Sequence, residues 1–272
     1  MKLDYPSIAM DVAGQVATIR IRHPKRPGGD IHWDLGEVFS ALRGEDSVRV
    51  IVITGEHDGI FSLGPTTAQY RASMATPGTL TDPRRLWRTF TGLVRCHEAM
   101  AQIEKPIVAR VNGTVMGFAP AFMFGCDLII AREDALVGDT HLALAELELN
   151  GEPFGAPFGI VPGDGGMALA PLFFSPPVVK EFLMLRRTFS GRELADMHLI
   201  NRAVPAGELD ATVDDFVRRL LQRPAYALAW TKRVVNRHVV EQLNRTLDAG
   251  AAFEMVTFLQ AERAGFADPR DF

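Results

Sequence analysis

Residues 16–22 alternate apolar and polar side chains, and residues 48–54 (Val-Arg-Val-Ile-Val-Ile-Thr) form a β-branched run. Both patterns predict strands, the second largely buried, because a period of two turns one face to a core and branched side chains fit a pleated surface. Between them residues 33–43 read as a helix, and further strands are expected at 107–111 and 127–131, so the first half alternates strands and helices in repeated ββα units. From 86 to 103 the residues Leu86, Phe90, Leu93, Val94, Met100 and Ala101 recur at helical spacing, with Pro106 closing the helix from beyond. His97 lies on that apolar face and reads as a core histidine with a partner. Ser190-Gly-Arg-Glu193 is a capping box, and residues 209–221 and 237–260 carry amphipathic helices. The pattern divides the chain into an α/β core, 1–200, and a C-terminal helical region, 201–272.

Composition narrows the classes of function. The 272 residues are 47% hydrophobic, enough for a sizeable core, and the formal charge is −4 with no Lys/Arg run longer than two. That excludes the basic footprint of a nucleic-acid binder and leaves a small molecule as the expected partner. Cys96 and Cys126 both lie in apolar stretches, as reduced thiols of a cytoplasmic protein would. The N-terminus has no apolar signal core, and the longest uncharged stretch, 111–126, is interrupted by Asn112, three glycines and Pro120, so neither targeting to nor spanning of a membrane is expected.

Gly163-Asp-Gly165-Gly-Met-Ala168 fits the dinucleotide pattern G-x-G-x-x-A, but the preceding residues 151–162 hold Gly151, Gly155, Gly159, Pro153, Pro157 and Pro162, too many breakers for the required strand. No Gly-Lys-Ser/Thr follows, which excludes a P-loop. The better reading is that free backbone NH groups at helix starts donate to an oxygen that becomes negative during reaction.

Lys105-Pro-Ile-Val-Ala-Arg-Val-Asn-Gly-Thr-Val-Met-Gly117 and Gly159-Ile-Val-Pro-Gly-Asp-Gly-Gly166 together resemble the crotonase (enoyl-CoA hydratase/isomerase) superfamily, a resemblance that runs from about Val12 into the C-terminal helices. It implies a ClpP/crotonase-like α/β fold of ββα units, a C-terminal helical region that builds a homotrimer or dimer of trimers, and a lyase or isomerase acting on an acyl-CoA thioester through an enolate. Coenzyme A would then be part of the substrate, with no separate cofactor and no metal. Of the two oxyanion donors that the resemblance implies, Phe118 keeps its NH. The other falls on Pro65, in Phe61-Ser-Leu-Gly-Pro-Thr66, and proline has no NH. Thr66, through NH or hydroxyl, is the expected replacement.

Ala121 and Gly155 stand where hydratases carry two glutamates, and His141, in Val137-Gly-Asp-Thr-His141, takes the place of the Pro-Glu segment. An imidazole with a pKa near about 6.5 suits a general base toward water. Asp164 would hold its tautomer or act as a second acid/base. His141 with Pro162-Gly-Asp-Gly165 is also locally similar to the 6-oxocamphor hydrolase branch, which implies carbon–carbon bond hydrolysis in a β-diketone as the alternative. The residues 142–158 intervene here, with Glu146, Glu148 and Glu152, as a lid carrying an acid or as a solvated surface helix. The resemblance further implies CoA contacts from Arg26, beside Arg22 and Lys25, and from Lys232 on a late helix; His32, Trp33, Trp87 and Phe90 are candidate pocket walls. The missing glutamates and missing NH leave a non-catalytic binding protein as the third reading.

Overall fold

In the computed structural model, which describes residues 1–76, 79, 81–144, 147–149 and 151–263, successive strands separate into two sheets. The larger has seven strands in the order β1 (Lys2–Asp4), β2 (Ile8–Ala13), β3 (Val16–Ile21), β4 (Val50–Gly55), β6 (Ile107–Val111), β8 (Leu128–Arg132) and β13 (Arg202–Val204). From β3 onward it is parallel. The smaller sheet runs β12 (Phe189–Ser190), β9 (Leu136–Gly138), β7 (Gly113–Met116) and β5 (Gly59–Ser62). Each pair β4/β5, β6/β7 and β8/β9 therefore places one strand in each sheet, which is the ββα repeat expected from the sequence. Because β13 pairs with β8 in the main sheet, the core extends past residue 200.

β4 is buried along its whole length because both of its faces are covered. Ile51 and Ile53 point into the main core, while Val50 and Val52, with Val108 and Ile130, meet Leu209, Val213 and Val217 of α8 (Leu209–Leu221). Each such aliphatic burial contributes roughly 1.5–3 kcal/mol. Helix α1 (Ile31–Arg43) packs on α3 (Pro83–Gln102). Both start earlier than apolar periodicity indicated, since Asp30 and Asp82 cap them and a cap precedes the first core-facing residue. The remaining helices are α2 (Thr67–Ala75), α4 (Ala119–Phe124), α5 (Gly166–Leu169), α6 (Pro176–Met184), α7 (Gly191–Asp196), α9 (Ala225–Val235) and α10 (Arg237–Arg263). Ser190 caps α7 through the capping box read from the sequence.

The segment 142–158 is not a helix in its described part. β10 (Leu147–Leu149) and β11 (Glu152–Phe154) form a hairpin whose Leu147, Leu149 and Phe154 pack on Leu63 and Met116. Glu148 and Glu152 face solvent, as alternation requires once the leucines are inward; Glu146 lies outside the described residues. Helix α10 lies across α3 and α5 of its own chain. Among the described residues no helix is long and apolar enough to cross a membrane.

Candidate active site

Two loops meet at the ends of β5 and β7. Gly117 adopts φ +76°, and a Cβ there would lie 2.8 Å from Gly64 Cα, so only paired glycines let the loops approach this closely. Phe118 follows as the N-cap of α4, where leading NH groups have no intrahelical acceptor. Pro65 follows Gly64 on the other loop. The Thr66 NH is not free to replace its missing donor. Thr66 N–H donates to Gln69 Oε1 at 2.9 Å, so that NH is used in capping α2, while Thr66 Oγ1 accepts from Gln69 N–H at 3.2 Å and keeps its own proton. A cleft of about 420 Å³ opens here, lined by Arg22, Lys25, Arg26, Gly64, Pro65 and Phe118 among others.

β9 pairs with β7 and so delivers the residues after it, Asp139 to His141, beside the same glycines. His141 and Asp164 are brought together, both almost fully buried (3% and 4% exposed). His141 Nδ1 lies 3.0 Å from each Asp139 carboxylate oxygen, and Nε2 lies 3.1 Å from Asp164 Oδ2. Burial alone would push the imidazole pKa down, but the charges and hydrogen bonds of Asp139 and Asp164 outweigh it and hold the value well above the ordinary one. With a carboxylate against each ring nitrogen, this shift favours the imidazolium, which donates from both nitrogens. For Asp164, burial pushes the pKa up and the His141 charge more than reverses it, so its carboxylate is held ionised.

The third member comes from α10. Glu254, Asp164 and His141 each offer one atom within 4.8 Å of the others, an arrangement that could also hold a divalent cation. Glu254 is driven the opposite way from Asp164: burial first, then the Asp164 charge, raise its pKa to about 8. Docking of α10 fixes this arrangement. Val161 N–H donates to Thr257 Oγ1 at 3.2 Å, and a Cβ on Gly163 would meet Gly250 O at 2.1 Å. His97 supports the same loop by placing Nε2 2.8 Å from Asp164 O, with its pKa lowered to about 4 mainly by burial. It is thus a neutral core histidine whose Nε2–H donates, and the partner that the sequence left unnamed is the backbone of Asp164.

The enoyl-CoA hydratase/isomerase family model matches residues 13–268. The chain is a member of the enoyl-CoA hydratase/isomerase family. It is 27% identical over 268 residues to the carnitinyl-CoA dehydratase of Escherichia coli K12, covering 95% of this chain and 94% of that one. The fold is similar to an enoyl-CoA hydratase/isomerase from Mycobacterium paratuberculosis (TM-score 0.78, 24% identity, 94% of this chain and 95% of that one). It is also similar to a beta-diketone hydrolase from the cyanobacterium Anabaena (TM-score 0.77, 18% identity, 95% and 96%).

For an enzyme of the enoyl-CoA hydratase/isomerase family, the space around the two absent glutamates is filled in a particular way. A Cβ on Gly165 would lie 3.0 Å from Ala121 Cβ, so the loop carrying Asp164 closes over position 121. A Cβ on Gly155 would meet Ala143 Cβ at 2.4 Å and Thr140 O at 2.6 Å, which leaves no room for a side chain there. Of the expected substrate contacts, Arg26 lines the cleft and pairs with Asp4 at 3.1 Å. Lys232 is elsewhere: it is buried, 2.7 Å from Asp127 and 3.0 Å from Lys105 O. Trp87 is 63% exposed against Trp33, and Phe90 packs against the main core; neither lines the cleft. His32 sits on Phe118, with ring centroids 4.8 Å apart. Sequence reasoning missed Asp139 and Glu254 as site members. The Asp-x-His spacing was a signal for the first, whereas nothing local marks a lone glutamate on an amphipathic helix.

Proposed function

We propose that the protein adds water to, or removes it from, the α,β-double bond of an acyl-CoA thioester, with Asp164 and Glu254 as its base and acid. The observation that carries this is the split between two neighbouring carboxyls, one held ionised by the His141 cation and the other held protonated by burial beside it. Such a split assigns acid and base on one site. In the hydration direction Asp164 Oδ1 takes a proton from water as its oxygen bonds to Cβ, and the π electrons move to the thioester oxygen as an enolate. The Phe118 NH stabilises that oxygen, and Glu254 delivers a proton to Cα. Dehydration reverses each step. His141 stays protonated and acts through Asp164. Lys25 and Arg26 at the mouth of the cleft suit the CoA phosphates, and the exposed Tyr226, Trp230 and Val234 of α9 suit assembly into a homotrimer or dimer of trimers.

Loss of enoyl absorbance with crotonyl-CoA and related thioesters, together with thermal protection by millimolar CoA, tests this reading. Failure of CoA to protect the protein would reject it. A second reading, hydrolysis of a carbon–carbon bond in a β-diketone, is favoured by Pro65, which removes one of the donors a thioester site ordinarily uses. In that reaction the same base activates water against one carbonyl, and the same acid protonates the departing enolate carbon. Consumption of cyclic 1,3-diketones without any CoA requirement would select it.

A further inference from the structure

Thr140 precedes His141 and is 1% exposed, yet among the described residues its hydroxyl has no hydrogen-bond partner. A buried hydroxyl without a partner is uncommon, because water lost on folding is normally replaced. The position of this one is informative. A Cβ built on Gly117 would lie 3.4 Å from Thr140 Oγ1, and one built on Gly64 would lie 3.5 Å from it. The hydroxyl thus sits against the two glycines that precede Phe118 and Pro65, the positions from which two donors would converge on one substrate oxygen. Pro65 has no NH to supply there, and the Thr66 NH is held by Gln69 Oε1.

We infer that the Thr140 hydroxyl is the second hydrogen-bond donor to the substrate's carbonyl oxygen, working with the Phe118 NH in place of the amide that Pro65 lacks. This rests on the reading of the Phe118 NH as an oxyanion donor, but it holds for a thioester and a diketone alike. A side-chain donor reaches the oxygen from beneath the glycines, so both loops keep their close approach. Its adjacency to His141 couples donor and acid/base cluster through one short segment.

The test compares wild type with Thr140→Val, which exchanges the hydroxyl for a methyl, and with Thr140→Ser, which keeps it; Thr140→Ala substitutes should the valine variant not fold. The probes are 4-(dimethylamino)cinnamoyl-CoA, whose absorbance moves to the red when its carbonyl is polarised, and a cyclic 1,3-diketone, whose enolate band reports the same contact. Wild type and the serine variant are expected to shift the bound probe, and the valine variant to lose most of the shift while kcat falls on the order of 10²-fold with little change in KM. An undiminished shift in Thr140→Val overturns the inference, as does binding of neither probe to the wild type. A Thr140-dependent change with the diketone alone, without thioester binding, sustains the inference and rejects the acyl-CoA reading.

Discussion

In the proposed reaction Glu254 works only while it is protonated and Asp164 only while it is ionised, which predicts an alkaline limit to activity. With the Glu254 pKa at about 8, kcat/KM is expected to fall above that pH, and a profile flat to pH 10 would remove Glu254 as the acid. Stability follows the same group in a known direction. The unfolded carboxyl ionises near its ordinary value of 4.5 and the folded one near about 8, so between these pH values the folded state holds an extra proton and stability falls as pH rises, by at most about 1.4 kcal/mol per unit. Glu254→Gln is expected to abolish turnover yet unfold at a higher temperature than wild type, with the gap widening from pH 5 to 8. Asp164 runs the other way. Its folded pKa is depressed, so its stabilising contribution is present above the unfolded value of 3.8 and is lost as pH falls through the folded one. His141, with its pKa raised, contributes fully below its unfolded value of 6.5 and loses that contribution as pH climbs through the folded value. A neutral general base at 141 would produce an acid limb near its own pKa; a cation held between Asp139 and Asp164 does not.

Helix α10 is the element on which the site depends, because it supplies Glu254 from a part of the chain 90 residues after Asp164 (254 − 164). Its contact with the Asp164 loop is made through backbone, Gly163 against Gly250, where a Cβ on Gly163 would meet the carbonyl at 2.1 Å. Gly163→Ala is therefore expected to lift α10, costing about 1–3 kcal/mol and most of the activity, with faster amide exchange confined to residues around 250–257. Unchanged exchange there would argue that the loop, not the helix, yields. The amphipathic pattern of residues 237–260 made the helix itself readable. Its destination was not, since an apolar face states that something covers it without naming which surface. The hairpin of 147–154 was misjudged for a related reason: Leu and Glu alternate at a strand's period, and its leucines have a use only because Leu63 and Met116 lie below.

At the scale of the whole molecule, Lys232 ties the late helices to the sheet. Its ammonium lies 2.7 Å from Asp127 and accepts burial through that pair and the Lys105 carbonyl. Lys232→Met is expected to lower stability by about 3 kcal/mol and leave KM for acyl-CoA unchanged; a raised KM with unchanged melting would place the lysine at the substrate instead. The alternation of strands and helices in ββα units was legible from the chain because strand and helix periods, caps and breakers act over a few residues; the division into two sheets appeared only in the fold. The helix start at Phe118 and the pairing of His141 with Asp164 were expected from short segments of fixed geometry, and the structure does bring those two side chains together. The surroundings of each group were decided elsewhere. The charge on His141 depends on Asp139 and Asp164 together, and the second carboxyl arrives on α10. The Thr66 NH is taken by a cap closed by Gln69. Protonation state and donor availability are set by neighbours in space and by exclusion of water, and neither is written in the order of residues; the local elements are.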